Sequence, residues 1–69
     1  MKGLSPQMKA GCKLRELIER DYKTQEEFAY EYGAEIRTVS RYVNSGINKL
    51  DVIQSLADFF GVEFEEFFK

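Results

Sequence analysis

Histidine is absent from this chain, and cysteine and proline occur once each. With Cys12 as the sole thiol, no transition-metal site is expected within one chain. A lone cysteine also excludes an internal disulfide and points to a reducing compartment. No apolar run is long enough to span a bilayer. Lys2 is followed by no apolar stretch, so no secretion signal is expected and a cytoplasmic location is. There is no histidine base, no phosphate-cradling glycine loop and no carboxylate pair in an apparent pocket. An enzyme, a cofactor and a small-molecule substrate are therefore not expected. Repeats, low-complexity tracts and linkers are also missing, which leaves a single domain over residues 1–69.

What is present has the balance of an ordinary globular domain, with 43% hydrophobic and 32% charged residues. So short a chain buries only about 60% of its unfolded surface, so its stability is modest unless it associates. The net charge of −2 argues mildly against a nucleic-acid partner, but its distribution matters more. Residues 1–49 hold nine Lys or Arg against seven Asp or Glu, a balance of +2. Residues 50–69 hold Lys69 against five acids, a balance of −4. An acidic tail thus masks a neutral-to-basic body.

The pattern is helical throughout. Ser5-Pro6 is a sound helix start, but Gly11 argues against an uninterrupted helix. Cys12 to Asp21 is therefore the firm part of the first helix, a start at Ser5-Pro6 is left open, and residues 1–11 are expected to be ordered only in part. Leu14, Leu17 and Ile18 form its apolar stripe, and Cys12 sits as a small residue at the edge of it. Thr24 and Glu27 make a capping box for a second helix that ends at Gly33. Phe28, Ala29 and Tyr32 face inward on that helix.

A third helix starts near Glu35 or Ile36, with glutamate a weak cap, and runs to about Asn44. It turns Val39 and Tyr42 inward and Arg37, Ser40, Arg41 and Asn44 outward. Asn48 is expected to cap a fourth helix, with Asp51 in the box position. Leu50, Ile53, Leu56, Ala57 and Phe60 form its buried stripe, and Gly61 ends it. A fifth short helix is expected over Val62–Phe68, with Phe64, Phe67 and Phe68 apolar.

The segments TQEEFAYEYG and AEIRTVSRYVNSG, with Gln25, Ala29, Gly33, Val39 and Tyr42, resemble a phage-repressor, Cro-like helix-turn-helix domain. The closing LADFFGVEFEEFF is similar to that family's last helices, and the resemblance covers about residues 12–68. It implies an all-α, compact five-helix lambda-repressor-like DNA-binding domain. The helix-turn-helix logic has its own physical support. A small residue, Ala29, allows a steep crossing, Gly33 tolerates the turn, and Val39 and Tyr42 face back.

On this resemblance Ile36, Arg37, Ser40 and Arg41 would meet base edges in the major groove. Gln25, Asn44 and Lys49 would hold backbone phosphates. Ile18, Tyr22-Lys23 and Glu35 depart from the family's usual residues, and the loop from Ser45 to Asn48 is shorter than common versions.

Five of six phenylalanines follow residue 58. Phe60, Phe64 and Phe67 fit a core pattern, and Phe59 and Phe68 are surplus. Phe59, Phe64 and Phe68 are accordingly the expected dimerisation surface. A twofold pair would set two third helices about 34 Å apart, facing a palindromic operator. The leading expectation is therefore a DNA-binding transcriptional regulator, a repressor acting on double-stranded DNA as a homodimer. The competing one is a protein-interaction module or antitoxin-like autoregulator that uses the phenylalanine-rich end, with DNA binding weak or lost.

Overall fold

Ser5 caps the first helix, its hydroxyl accepting the Met8 N–H at 3.2 Å, and Pro6 occupies the first helical position. The computed structural model describes residues 5–69, so the expectation for residues 1–4 lies outside the described residues. From that cap, α1 runs unbroken over Pro6–Asp21, and α2 (Gln25–Tyr32), α3 (Ile36–Ser45) and α4 (Leu50–Phe60) follow. A 3-10 helix over Phe64–Phe68 closes the chain. The fold is all-helical among the described residues and compact, with a radius of gyration of 11.2 Å.

α1 lies across α3, α4 and the closing turn, and α2 packs on α3. The expected stripes supply the core: Leu14, Leu17 and Ile18 from α1, Phe28 and Ala29 from α2, Val39 from α3, and Ile53, Leu56 and Ala57 from α4. Phe28 is fully buried and central. Its ring lies 5.3 Å from those of Tyr32 and Phe60, and 5.7 Å from those of Tyr22 and Phe59. The Tyr32 and Ser55 hydroxyls, 2.7 Å apart, tie α2 to α4.

Several expectations are corrected. α1 starts at the Ser5-Pro6 signal and passes unbroken through Gly11, where the sequence leaves an interruption open. Tertiary packing overrides helix propensity there. A Cβ on Gly11 would lie 2.5 Å from the Tyr42 carbonyl oxygen and 3.1 Å from the Gly46 Cα, so only glycine lets α1 cross α3 this closely. Gly46 faces the same limit from the other side: a Cβ there would lie 2.7 Å from the Gln7 carbonyl oxygen, and the residue holds φ at +95°. Directly beside it the Ile47 N–H donates to the Gln7 carbonyl at 3.0 Å.

Cys12 is exposed, on the wet side of α1 instead of at the edge of its stripe. Asn48 does not cap α4. Lys49 holds the cap position without a side-chain bond, and the Asp51 carboxylate accepts the adjacent Val52 N–H at 2.9 Å. Leu50, expected inward, is 64% exposed, although Ile53 in the same turn of α4 is buried. Ile47 fills that role from the loop and is buried.

The fifth helix is a 3-10 turn beginning at Phe64, its N–H groups reaching back three residues as from Glu66 to Glu63 at 3.0 Å. Phe67 is fully buried there. Phe68, expected as surplus, is half-buried against Phe64, their rings 5.3 Å apart.

Candidate functional site

The helix-turn-helix unit is built as its residues require. Thr24 Oγ1 accepts the Glu27 N–H at 3.1 Å, while the Glu27 carboxylate accepts the Lys23 N–H at 3.0 Å. The return bond of this box thus falls one residue before the cap. Gly33 ends α2 in the left-handed region at φ +90°, and Ala29, 3% exposed, lies under the crossing. The Gly33 and Ala34 N–H groups both donate to the Ala29 carbonyl at 2.9 Å, which fixes the direction in which the chain leaves for α3. Glu35 stands at the α3 cap position with no side-chain hydrogen bond.

α3 is held by one face. Val39 is buried, and Thr38, Tyr42 and Val43 are half-buried around it. Its opposite face carries Ile36, 41% exposed, with Arg37, Arg41, Asn44 and Ser45 exposed and Ser40 half-buried. The helix geometry of about 100° per residue places these in angular order from Ile36 through Ser40, Asn44, Arg37 and Arg41 to Ser45. Asn44 donates from its amide to the Ser40 hydroxyl at 3.2 Å, leaving its carbonyl oxygen and one N–H outward.

Charge is sorted around this face. Among the described residues every ion pair engages Lys13, Arg15, Arg20 or Lys69. Arg37, Arg41 and Lys49 pair with no carboxylate among the described residues. Arg20 and Asp21 form a two-point pair at 2.8 and 2.9 Å, which raises the guanidinium pKa and lowers that of the carboxyl. Beside the middle of α1, Glu66 lies below the usual carboxylate range because Lys69, and less strongly Lys13, favour its charged form. Burial, followed by the charges of Glu31 and Asp21, pushes the Tyr22 phenol up.

Arg41 and Lys49, expected on α3 and at the start of α4, meet in one open groove of about 600 Å³. Its walls also include Ser5 and Gln7 from the start of α1, and Ser45 and Asn48 from the end of α3 and its loop. Sequence reasoning assigned none of these four to a site. The paired glycines, Gly11 and Gly46, were the available signal that α1 and the end of α3 meet. Gln25 lies elsewhere, half-buried at the first position of α2, in a cleft of about 220 Å³ beside Arg15, Glu19 and Lys23.

The expected association residues divide between two clusters. Phe59, 40% exposed, belongs with Phe28, Tyr32 and Phe60 on α2 and α4. Phe64 and Phe68 form their own pair on the closing turn. No ring contact joins the two clusters among the described residues.

No charged or polar side chain is buried among the described residues, so every group available for chemistry or recognition lies at or near the surface. None of the helices is long and apolar enough to cross a membrane, among the described residues. Compared with protein-family models, curated proteins and solved structures, the chain matches none.

Proposed function

We propose that this chain is a sequence-specific DNA-binding regulator of the Cro-like helix-turn-helix type, a repressor that presents α3 to the major groove. One observation carries the reading. α3 is locked by Val39 on one side and offers two exposed arginines, neither of them ion-paired among the described residues, on the other. An arginine held this way suits guanine O6 and N7, and Ile36 beside it suits a thymine methyl. The five-element arrangement, counting the closing turn as the fifth, fits a lambda-repressor-like head. A homodimer would place two copies of α3 on successive turns of a palindromic operator. Phe59 is the most exposed of the expected association residues and the first choice for that contact.

Selection from a random duplex pool tests this reading. The expected outcome is a palindromic consensus whose binding weakens steeply with salt, because each neutralised phosphate releases counterions. Arg37→Ala should cost roughly 1–3 kcal/mol and relax one base pair of that consensus. No enrichment of any duplex at low salt would sink the proposal. The exposed Phe59 beside Tyr32 supports a second reading, a protein-interaction module. In that case Phe59→Ala would abolish partner capture while Arg37→Ala and Arg41→Ala would not.

A further inference from the structure

The groove between the start of α1 and the end of α3 has the composition of an anion site. Two cations line it, Arg41 and Lys49, and no carboxylate does among the described residues. The rest of its lining is neutral: Ser5, Gln7, Tyr42, Ser45, Gly46 and Asn48. Neither cation is neutralised by an acid elsewhere among the described residues. A planar guanidinium and an ammonium lining one groove suit the oxygens of a phosphate, the first by a two-point contact and the second as a point charge.

The position of Arg41 on α3 decides what it does there. Arg37 lies at the centre of the outward face, next to Asn44. Arg41 is four residues on and so about 40° further round, toward Ser45. Arg41 and Ser45 line the groove, and Arg37 does not. Ile36 and Ser40 lie on the opposite flank. The two arginines therefore address different targets.

We infer that this groove binds phosphate and that Arg41 is one of its ligands, not a reader of base edges. Sequence choice then rests on Arg37 with Ile36 and Ser40. Arg41 and Lys49 set register and affinity. The duplex form of this inference rests on the DNA-binding reading above. The shared chemistry is a phosphate group, whether in a DNA strand or on a free phosphorylated ligand.

Two measurements on the full chain separate these outcomes. The first compares salt dependence and base preference of duplex binding for Arg37→Ala, Arg41→Ala and Lys49→Ala. Arg20→Gln serves as a control that removes the same charge outside the groove. Arg41→Ala and Lys49→Ala should weaken preferred and scrambled duplexes by the same factor. Each should also lower the slope of log affinity against log salt by about 1. Arg37→Ala should flatten the preference at one base pair, and Arg20→Gln should change neither quantity. The second measurement titrates pyrophosphate against the 15N-labelled protein. Amides of Gly46, Asn48 and Lys49 should shift in the wild type and stay still in Arg41→Ala.

The inference is overturned if Arg41→Ala relaxes one base pair with the salt slope unchanged. It is overturned equally if pyrophosphate leaves those amides unmoved. If no duplex is enriched but pyrophosphate still moves them, the groove stands as a site for a free phosphorylated ligand and the DNA reading falls. Arg41 and Lys49 are exposed, so circular dichroism of each variant will show native helix content.

Discussion

Replacing Gly11 with alanine tests the helix crossing directly, because two physical effects predict opposite signs. Within a helix, glycine is about 0.8–1.0 kcal/mol less favourable than alanine, so propensity alone predicts a more stable protein. The packing predicts the reverse. The new Cβ would lie 2.5 Å from the Tyr42 carbonyl oxygen, a backbone atom that cannot rotate away. Ordinary C···O contacts begin near 3.3 Å, so α1 and α3 would have to part by roughly 0.8 Å. Such overpacking costs about 1–3 kcal/mol.

The same displacement stretches the bond from the Ile47 N–H to the Gln7 carbonyl, now 3.0 Å, beyond useful geometry, at a cost of about 1 kcal/mol. Set against the propensity gain, the net destabilisation is about 1–3 kcal/mol. For a domain of this size each kcal/mol lowers Tm by roughly 4–8 °C. Thermal and urea unfolding followed by circular dichroism reads the change. Hydrogen exchange at the Ile47 amide locates it, and exchange there should accelerate in Gly11→Ala. Gly33→Ala is the contrast. That position is sterically open but held at φ +90°, so the loss should be about 1 kcal/mol with Ile47 exchange following only global stability. A Gly11→Ala protein as stable as the parent, or more stable, would refute the close-crossing argument.

Phe28→Ala should remove about 3–5 kcal/mol, since this fully buried ring is the centre of five aromatics, and chemical denaturation should find the variant largely unfolded. Tyr32→Phe deletes the 2.7 Å hydroxyl contact with Ser55 and should cost about 0.5–1.5 kcal/mol in the same assay, near the lower end because Ser55 is exposed. Acid unfolding provides a third check. The pKa of Glu66 is lowered in the fold by Lys69 and Lys13, so its contribution is present above the ordinary carboxylate value and lost as pH falls through the lowered one. Glu66→Gln should therefore reduce the fall in stability across that acid range, and added salt should shrink the difference between the two proteins.

The parts of this fold legible in the sequence are those where local and tertiary demands coincide. Leu14, Leu17 and Ile18, or Ile53, Leu56 and Ala57, recur at helical spacing because one face of each helix meets the core. Thr24 and Gly33 mark the ends of α2 because caps are local chemistry. Where the demands part, the sequence misleads. Gly11 is a poor helix former alone, and only the neighbouring chain explains its place inside α1. Leu50 keeps the period of α4 yet is 64% exposed, while Ile53 three residues on is buried. Ile47, a single apolar residue in a turn, has no period to betray that it is buried.

The site divides in the same way. The outward face of α3 follows from periodicity, so Ile36, Arg37, Ser40, Arg41 and Asn44 were all legible as one surface. The groove that separates Arg41 from Arg37 was not. It needs residues from the start of α1 and from the loop after α3, some 40 positions apart in the chain, and no local pattern joins them.

The bond between Gln7 and Ile47 also closes a ring of backbone. Inside it lie most of α1, all of α2 and all of α3. For about 40 residues the entropy of bringing the ends together is roughly 3 kcal/mol beyond a constant. A folding chain can recover that only once the glycines are in register, since any side chain at Gly11 would hold the ends apart. The helices α2 and α3 and the turn between them are therefore enclosed by a backbone clasp that holds the start of α1 to the end of α3. Gln7 and Gly46, which meet at this clasp, also line the groove, so the part of the surface that holds charge and the part that fixes the fold share one contact.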